Sequence, residues 1–419
     1  MSYLRSFRMV IVGLSFVSAI LSACAPSPAP LATVAGDSAA VNSPQSPAAA
    51  SSATTSRSSL LTTAFAVASS MPVDPHGRDR SRLQEAVARA CLDSDMVDQA
   101  AELADQMQGW RRGHVIALCG QYFARRGQTD SARDCADRAL LVDVGDTTWG
   151  KDVVVTEVAK IYVLLGDESR AYSLVAVGQP TERGQVETAR TARVPMDQMD
   201  GQADMFDQAI ATGNFDLARG GIDGYLVWLD RVIDDAPRRA RALTALSGAF
   251  PGLPLDLQVR YRVQLAEVLY SRGYKELAKT EVDRASALFK VTVFLPEDTA
   301  PLGAVIAKAR FRMGDADSAR SELRALRAAY NAQSDLIVNL RRAASLRALA
   351  EGFLLLGDSD DAVESYKAAL DAGAINPNAR PRAEDLSATC VSMAMSGFQP
   401  SPEFMLRIDN LRAGLVDPW

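Results

Sequence analysis

The stretch I116-A-L-C-G-Q-Y-F-A-R-R-G-Q-T-D-S-A-R-D-C-A-D-R-A-L140 decides the fold. Gly127 splits it into two runs whose apolar residues recur every three or four positions, the period of a helix. Gly127 fits just past the end of the first run, where a residue without a Cβ takes a left-handed conformation at little cost. Gly120 lies seven residues before the turn and Ala132 five after it. In an antiparallel hairpin these two small residues face each other and let the helices approach closely.

The same string, a Gly followed five residues later by Ala, recurs along the chain. It appears at Gly166/Ala171, Gly213/Ala218, Gly273/Ala278, Gly314/Ala319 and Gly357/Ala362. Asp95/Ala100 carries Asp at the turn, and Gly397 keeps the turn without the Ala. Seven residues before the turns stand Ala88, Gly120, Ala159, Phe206, Ala266, Ala307, Ala350 and Cys390. Successive turns are 32, 39, 47, 60, 41, 43 and 40 residues apart. Asp167, Asn214, Asp315 and Asp358 follow their glycines and suit the capping of the next helix. The segments around 179–200 and 237–250 stretch the period.

These units resemble the tetratricopeptide repeat (TPR) family. The likeness runs through Gly120, Phe123, Gly127, Ala132, Ala139 and Leu140. It runs again through Ala350, Phe353, Gly357, Ala362, Tyr366, Ala369 and Leu370. It covers roughly residues 81–410, with periods longer than the family's. The resemblance implies an all-α fold, an α-solenoid of about seven to eight TPR-like helical hairpins over residues 79–419. In that family the first helices line a concave groove that takes peptides or helices of other proteins. Carried over, the groove positions are Arg89, Gln121, Lys160, Asp207, Glu267, Lys308 and Glu351, each six residues before its turn.

Upstream, Arg5 and Arg8 precede a short, mostly apolar run, Met9 to Ile20, too brief to span a membrane. Leu21-Ser22-Ala23-Cys24 follows and resembles the lipobox of bacterial lipoproteins. That resemblance implies a signal peptide over 1–23 and acylation of Cys24. With Ala25 behind the Cys, it further implies an anchor in the outer membrane, facing the periplasm. Residues 25–59 hold 27 Ala, Ser, Pro or Thr in 35, and such a stretch cannot bury a core. Residues 24–78 are therefore expected to be a flexible tether, within which the slightly apolar Leu60 to Ala68 reads either as a short helix or as an unstructured continuation.

The rest of the composition argues against chemistry. The chain of 419 residues carries 45 Lys+Arg against 51 Asp+Glu, a net charge of −6 that draws no nucleic acid. Only two histidines are present. His76 is expected in solvent, and His114 at a helix start facing the groove. No phosphate-cradling loop, nucleophile elbow or zinc-helix motif occurs. No metal, cofactor or catalytic residue is assigned. Cys119 and Cys135 flank the Gly127 turn at equal distances, so in an oxidising compartment they are able to bridge. The other reading is that they are small buried thiols. The function expected is a non-catalytic scaffold or adaptor for proteins or peptide segments of the cell envelope. The alternative is a lipoprotein capturing a peptide, glycan or nutrient, and an enzyme with a dispersed site is the remotest.

Overall fold

The computed structural model describes residues 47–419 apart from 146–147 and 176–179, with side chains from residue 54. The expected signal peptide 1–23, the expected acylation site Cys24 and the expected tether up to residue 46 lie outside the described residues, which fall in the compact unit Pro44–Trp419. The described residues form helices and no strand. In chain order these are α1 Pro47–Ser69, α2 Val73–Asp93, α3 Val97–Asp105, α4 Trp110–Arg125, α5 Thr129–Leu140, α6 Thr148–Leu165, α7 Glu168–Leu174 and α8 Pro180–Thr191. Then follow α9 Met199–Ala211, α10 Phe215–Val232, α11 Ala236–Ala249, α12 Leu255–Ser271, α13 Lys275–Val291 and α14 Pro296–Arg312. The last are α15 Ala316–Gln333, α16 Asn339–Leu355, α17 Ser359–Ala374, α18 Ala379–Ser396 and α19 Pro402–Ala413. The fold is all-α and solenoid-like.

The hairpins stand on small residues, as the sequence pattern requires. Ala88, Ala159, Ala266, Ala307 and Ala350 before the turns are fully buried, and so are Ala100, Ala132, Ala171, Ala278, Ala319 and Ala362 after them. A Cβ on Gly120 would stand 2.5 Å from Ile161 Cδ1 and 3.0 Å from Cys135 Cβ, so this glycine lets α4 touch α5 and α6 at once. Gly127 (φ 73°) and Gly357 (φ 79°) are left-handed, and Asp95 (φ 60°) takes the same conformation in place of Gly. Asp167, Asn214 and Asp315 cap the next helix by accepting from the N–H of Arg170, Leu217 and Ser318. Asp358 does not cap; it accepts from Arg320 at 3.0 Å instead.

Nine helices, α2, α4, α6, α8, α10, α12, α14, α16 and α18, form one layer in which each packs on the next. The others cover them from outside. All nine run the same way, from a connector rim, where outer helices feed inner ones, to a turn rim bearing most of the glycine turns. The Gly213 string is the exception. It leads from outer α9 into inner α10, so it lies on the connector rim. There Ala218 is only half-buried, unlike its counterparts. The chain turns outward instead near Arg193 and Asp234. This removes the apparent gap of 60 residues and raises the count from seven or eight hairpins to nine inner helices.

The ordered chain begins earlier than residue 79. In α1, Leu60, Leu61, Ala64, Phe65, Val67 and Ala68 are buried, and Met71 beyond it is too. They share one core with Leu386, Cys390 and Met393 of α18. Arg57 Nε donates to Ala394 O at 3.1 Å and Ser387 Oγ to Ala64 O at 3.0 Å. The packed face of this helix comes from its apolar second half, Leu60 to Ala68, within the stretch expected to be tether. Beside it α18 bonds directly to α2: Arg380 lies 3.3 Å from Asp79, and Arg82 2.9 Å from Glu384. The array is therefore closed on itself, not open and quasi-linear.

Phe65→Ala is expected to cost about 3–5 kcal/mol in urea unfolding, because α1 closes the core. A loss below about 0.5 kcal/mol would refute that role. Gly357→Ala should cost about 1 kcal/mol at its positive φ, whereas Gly248→Ala, within α11 with open space around its Cβ, should stabilise by roughly 0.5–1 kcal/mol.

Candidate functional site

The seven expected groove residues turn inward on the protein itself. Six lie on inner helices, and all six bond to a neighbouring one. Arg89 reaches His114 Nε2 at 3.0 Å. Gln121 donates to Glu157 Oε2 at 2.6 Å. Lys160 donates to Glu157 at 2.7 Å and to Gln185 at 3.0 Å. Glu267 pairs with Arg312. Lys308 donates to Glu351 at 2.9 Å, and Glu351 accepts from Ser392 at 2.7 Å. Asp207 is on outer α9, a consequence of the inverted turn, and accepts from Tyr225 at 2.6 Å and Arg241 at 2.5 Å. These positions hold the array together rather than forming a free lining.

Other residues complete the circuit. Glu85 on α2 pairs with Arg89 at 2.9 Å and with Arg111 of α4, and lies 3.1 Å from His114 Nδ1. His114 is buried, not groove-facing, and stands between Glu85 and Glu157. Arg231 of α10 donates to the carbonyls of Thr191 and Val194 at the end of α8. Tyr261 and Arg272 of α12 donate to Asp223 and Asp230 of α10 at 2.8 and 2.7 Å. With Arg347 to Asp385 at 3.1 Å and the α18–α2 pairs, polar bonds join every neighbouring pair of inner helices around the ring. Glu85, His114 and Glu157 lie one or two helical turns before the six-before positions, on the same face. Extending those positions backward by three, four or seven would have found them.

Burial alone would raise the pKa of Glu157. The charge of Lys160, that of His114 and hydrogen bonds from Lys160 and Gln121 outweigh it and hold it at about 2. Glu85 is likewise held well below the carboxylate range: burial is again overcome, by His114, Arg89 and Arg111. Asp223 goes the other way. Burial raises its pKa to about 6 despite the Tyr261 hydroxyl and the charge of Arg219. All four described cysteines, Cys91, Cys119, Cys135 and Cys390, are buried free thiols, so the Cys119–Cys135 bridge is not formed. Burial pushes the Cys119 and Cys390 thiols up to about 12.

Among the described residues no group of three or more His, Cys, Asp or Glu side chains is placed to hold a metal, and no helix is long and apolar enough to cross a membrane. A cavity of about 200 Å³ opens between α17, α18 and α19, lined by Leu370, Gly373, Arg382, Leu386, Leu411 and Leu415. Large exposed apolar side chains recur on or beside several of the connectors that lead to inner helices. Leu141, Trp149, Val291, Val293, Leu336 and Ile375 are among them. The turn rim carries Asp95, Arg126, Asp130 and Asp167 in solvent.

No family model matches the chain, and no curated protein is similar to it. Among solved structures, one described as a "circular tandem repeat protein with novel repeat topology and enhanced subunit contact surfaces" is 13% identical. The alignment covers 87% of this chain and 96% of that one, with a TM-score of 0.26.

The carboxylates predict two opposite slopes of stability with pH. Glu157 ionises at about 2 folded against 4.5 unfolded, so its contribution is complete above pH 4.5 and is lost as pH falls. Asp223 ionises at about 6 folded against 3.8 unfolded, so stability falls as pH rises between those values. Urea midpoints from pH 3 to 8 should lose the first slope in Glu157→Gln and the second in Asp223→Asn. Unchanged profiles would contradict the assignments.

Proposed function

We propose that this chain is a lipid-anchored, non-catalytic scaffold of the bacterial cell envelope, built of TPR-like repeats and binding other proteins. The observation that carries this reading is the division of its side chains. Charged groups on the inner helices are spent on one another, whereas apolar side chains collect, exposed, on the connector rim. Large apolar side chains left in solvent on several connectors support contact with other macromolecules. The partner surface is thus the connector rim, in place of the polar groove that the family resemblance implies. The resemblance of Leu21-Ser22-Ala23-Cys24 to a lipobox supports the anchor and an outer-membrane location facing the periplasm.

Capture of a small ligand is the second reading, and the cavity beside Arg382 is what favours it. Its 200 Å³ is below the ~300–1,000 Å³ usual for small-molecule sites, which ranks it second.

Cys24→Ala should move the protein from the membrane fraction to the soluble one; retention on membranes would end the lipid-anchor reading. For partners, the full chain is used, because a fragment starting at residue 75 lacks α1 and leaves the array open. Cross-linking and affinity purification from envelope extracts should enrich a defined complex that Leu141→Asp weakens. No complex, together with thermal stabilisation by a small molecule that an Arg382 substitution abolishes, would favour capture instead.

A further inference from the structure

The cavity between α17, α18 and α19 has aliphatic walls. Leu370, Leu386, Leu411 and Leu415 line it with Ala369 and Ala374, and no aromatic ring does. It therefore offers no platform on which a flat base or a sugar face would stack. Among its lining residues Ala374, Asn410 and Gly414 are exposed, so the cavity communicates with solvent. An aliphatic group that enters it leaves water.

Two charged side chains share this lining, and they differ in what holds them. Asp385 is buried and accepts from Arg347 at 3.1 Å. Arg382 forms no ion pair among the described residues. Its Nη2 donates to the carbonyls of Gly414 and Val416 at 3.4 and 3.3 Å, both long for a charged donor. Its Nε is buried and has no hydrogen-bond partner. A buried N–H of a cation without an acceptor is costly, and native structures leave few of them.

The same protein shows what this edge of a guanidinium accepts. Arg238 holds Asp200 side-on through Nε and Nη2, at 3.0 and 2.9 Å. Arg272 holds Asp230 in the same way, at 2.7 Å through each nitrogen. In both, two parallel donors meet the two oxygens of one carboxylate, the pairing that a planar fork favours. Arg382 presents the same edge, and no side-chain carboxylate of the described residues takes it. Nη2 carries two hydrogens, so it is able to keep a carbonyl and serve a second acceptor. Size narrows the choice further. The cavity of about 200 Å³ has room for roughly seven water-sized groups. That admits a carboxylate on a chain of about five to seven carbons, and excludes a long acyl chain, a nucleotide or a disaccharide.

We propose that this cavity binds a medium-chain aliphatic monocarboxylate, with its tail among the leucines and its two oxygens on Nε and Nη2 of Arg382. The proposal rests on the second reading above, capture of a small ligand at this cavity, and supplies the ligand's chemistry. A carboxylate here and a protein on the connector rim do not exclude each other.

Calorimetric titration of octanoate into the full chain carrying Cys24→Ser, which leaves no acyl group on the protein, tests it. One site is expected, with a dissociation constant on the order of 10–100 μM. 1-Octanol has the same tail without the charge, and acetate the same head without the tail. Each should bind at least about tenfold more weakly than octanoate. Arg382→Gln should weaken octanoate at least about tenfold. So should Ala374→Trp, which fills the cavity from an exposed position and leaves the helices intact by circular dichroism. No binding of octanoate or hexanoate up to about 5 mM, or octanol bound as tightly as octanoate, would overturn the proposal. Octanoate binding indifferent to both substitutions would overturn it too, as would preference for an acetylated peptide ending in leucine. Stabilisation by an uncharged ligand that Ala374→Trp abolishes would overturn this ligand class while leaving capture at the cavity standing.

Discussion

The contact on which the rest of the structure depends is the one between the first described helix and the last inner one. A solenoid of stacked hairpins has two ends, and each end exposes an apolar face that a capping element must cover. This chain covers both faces with one helix. The buried face of α1 fills the outer place beside α18, and α2, which follows it, takes the next inner place. The two ends thereby become each other's neighbours, and no capping repeat is needed. The ion pairs Arg380–Asp79 and Arg82–Glu384 fix the register of that joint. As partly exposed pairs they contribute little energy of their own, so the apolar contact supplies the hold.

Closure also explains why the inner polar residues are so thoroughly engaged. In an open superhelix the groove side of the first helices faces solvent or a ligand. Here the inner helices crowd together, and a polar side chain on their facing sides must find a partner or bear the cost of burial. Glu85, His114 and Glu157 show the outcome: three buried ionisable groups in contact, with Arg89, Arg111, Lys160 and Gln121 arranged around them. This network links three successive inner helices, α2, α4 and α6. Those residues join neighbouring inner helices.

Much of the local architecture was legible because its cause is local. A left-handed glycine and a pair of facing small residues leave a mark within thirteen residues, and Gly120, Ala132, Ala350 and Ala362 behave as that mark requires. What depended on distant partners was not legible. The Gly213 string has the right letters, yet it joins an outer helix to an inner one; only the packing of α10 against α12 distinguishes the two cases. Residues 47–69 read as a linker because Ala, Ser and Thr dominate them, and such residues form a packed helix only where a complementary surface exists. That surface is more than three hundred residues away. The positions six before each turn were expected to line a groove; six of the seven bond to a neighbouring inner helix, and Asp207 lies on outer α9. The buried Glu–His–Glu contact was missed for the same reason, since no one repeat contains it.

The joint between α1 and α18 gives the chain an order of events. Synthesis produces α1 before the other described helices, and its docking surface on α18 only after more than three hundred further residues. Throughout that interval the apolar face of α1 has no partner within its own chain. The intervening hairpins are local and fast to form, whereas the closing contact has among the largest sequence separations in the molecule. A growing chain therefore needs the unmatched helix shielded from other molecules until residue 396 has been made. A chain cut short before that point folds most of its repeats and still carries a bare, aggregation-prone helix at its start.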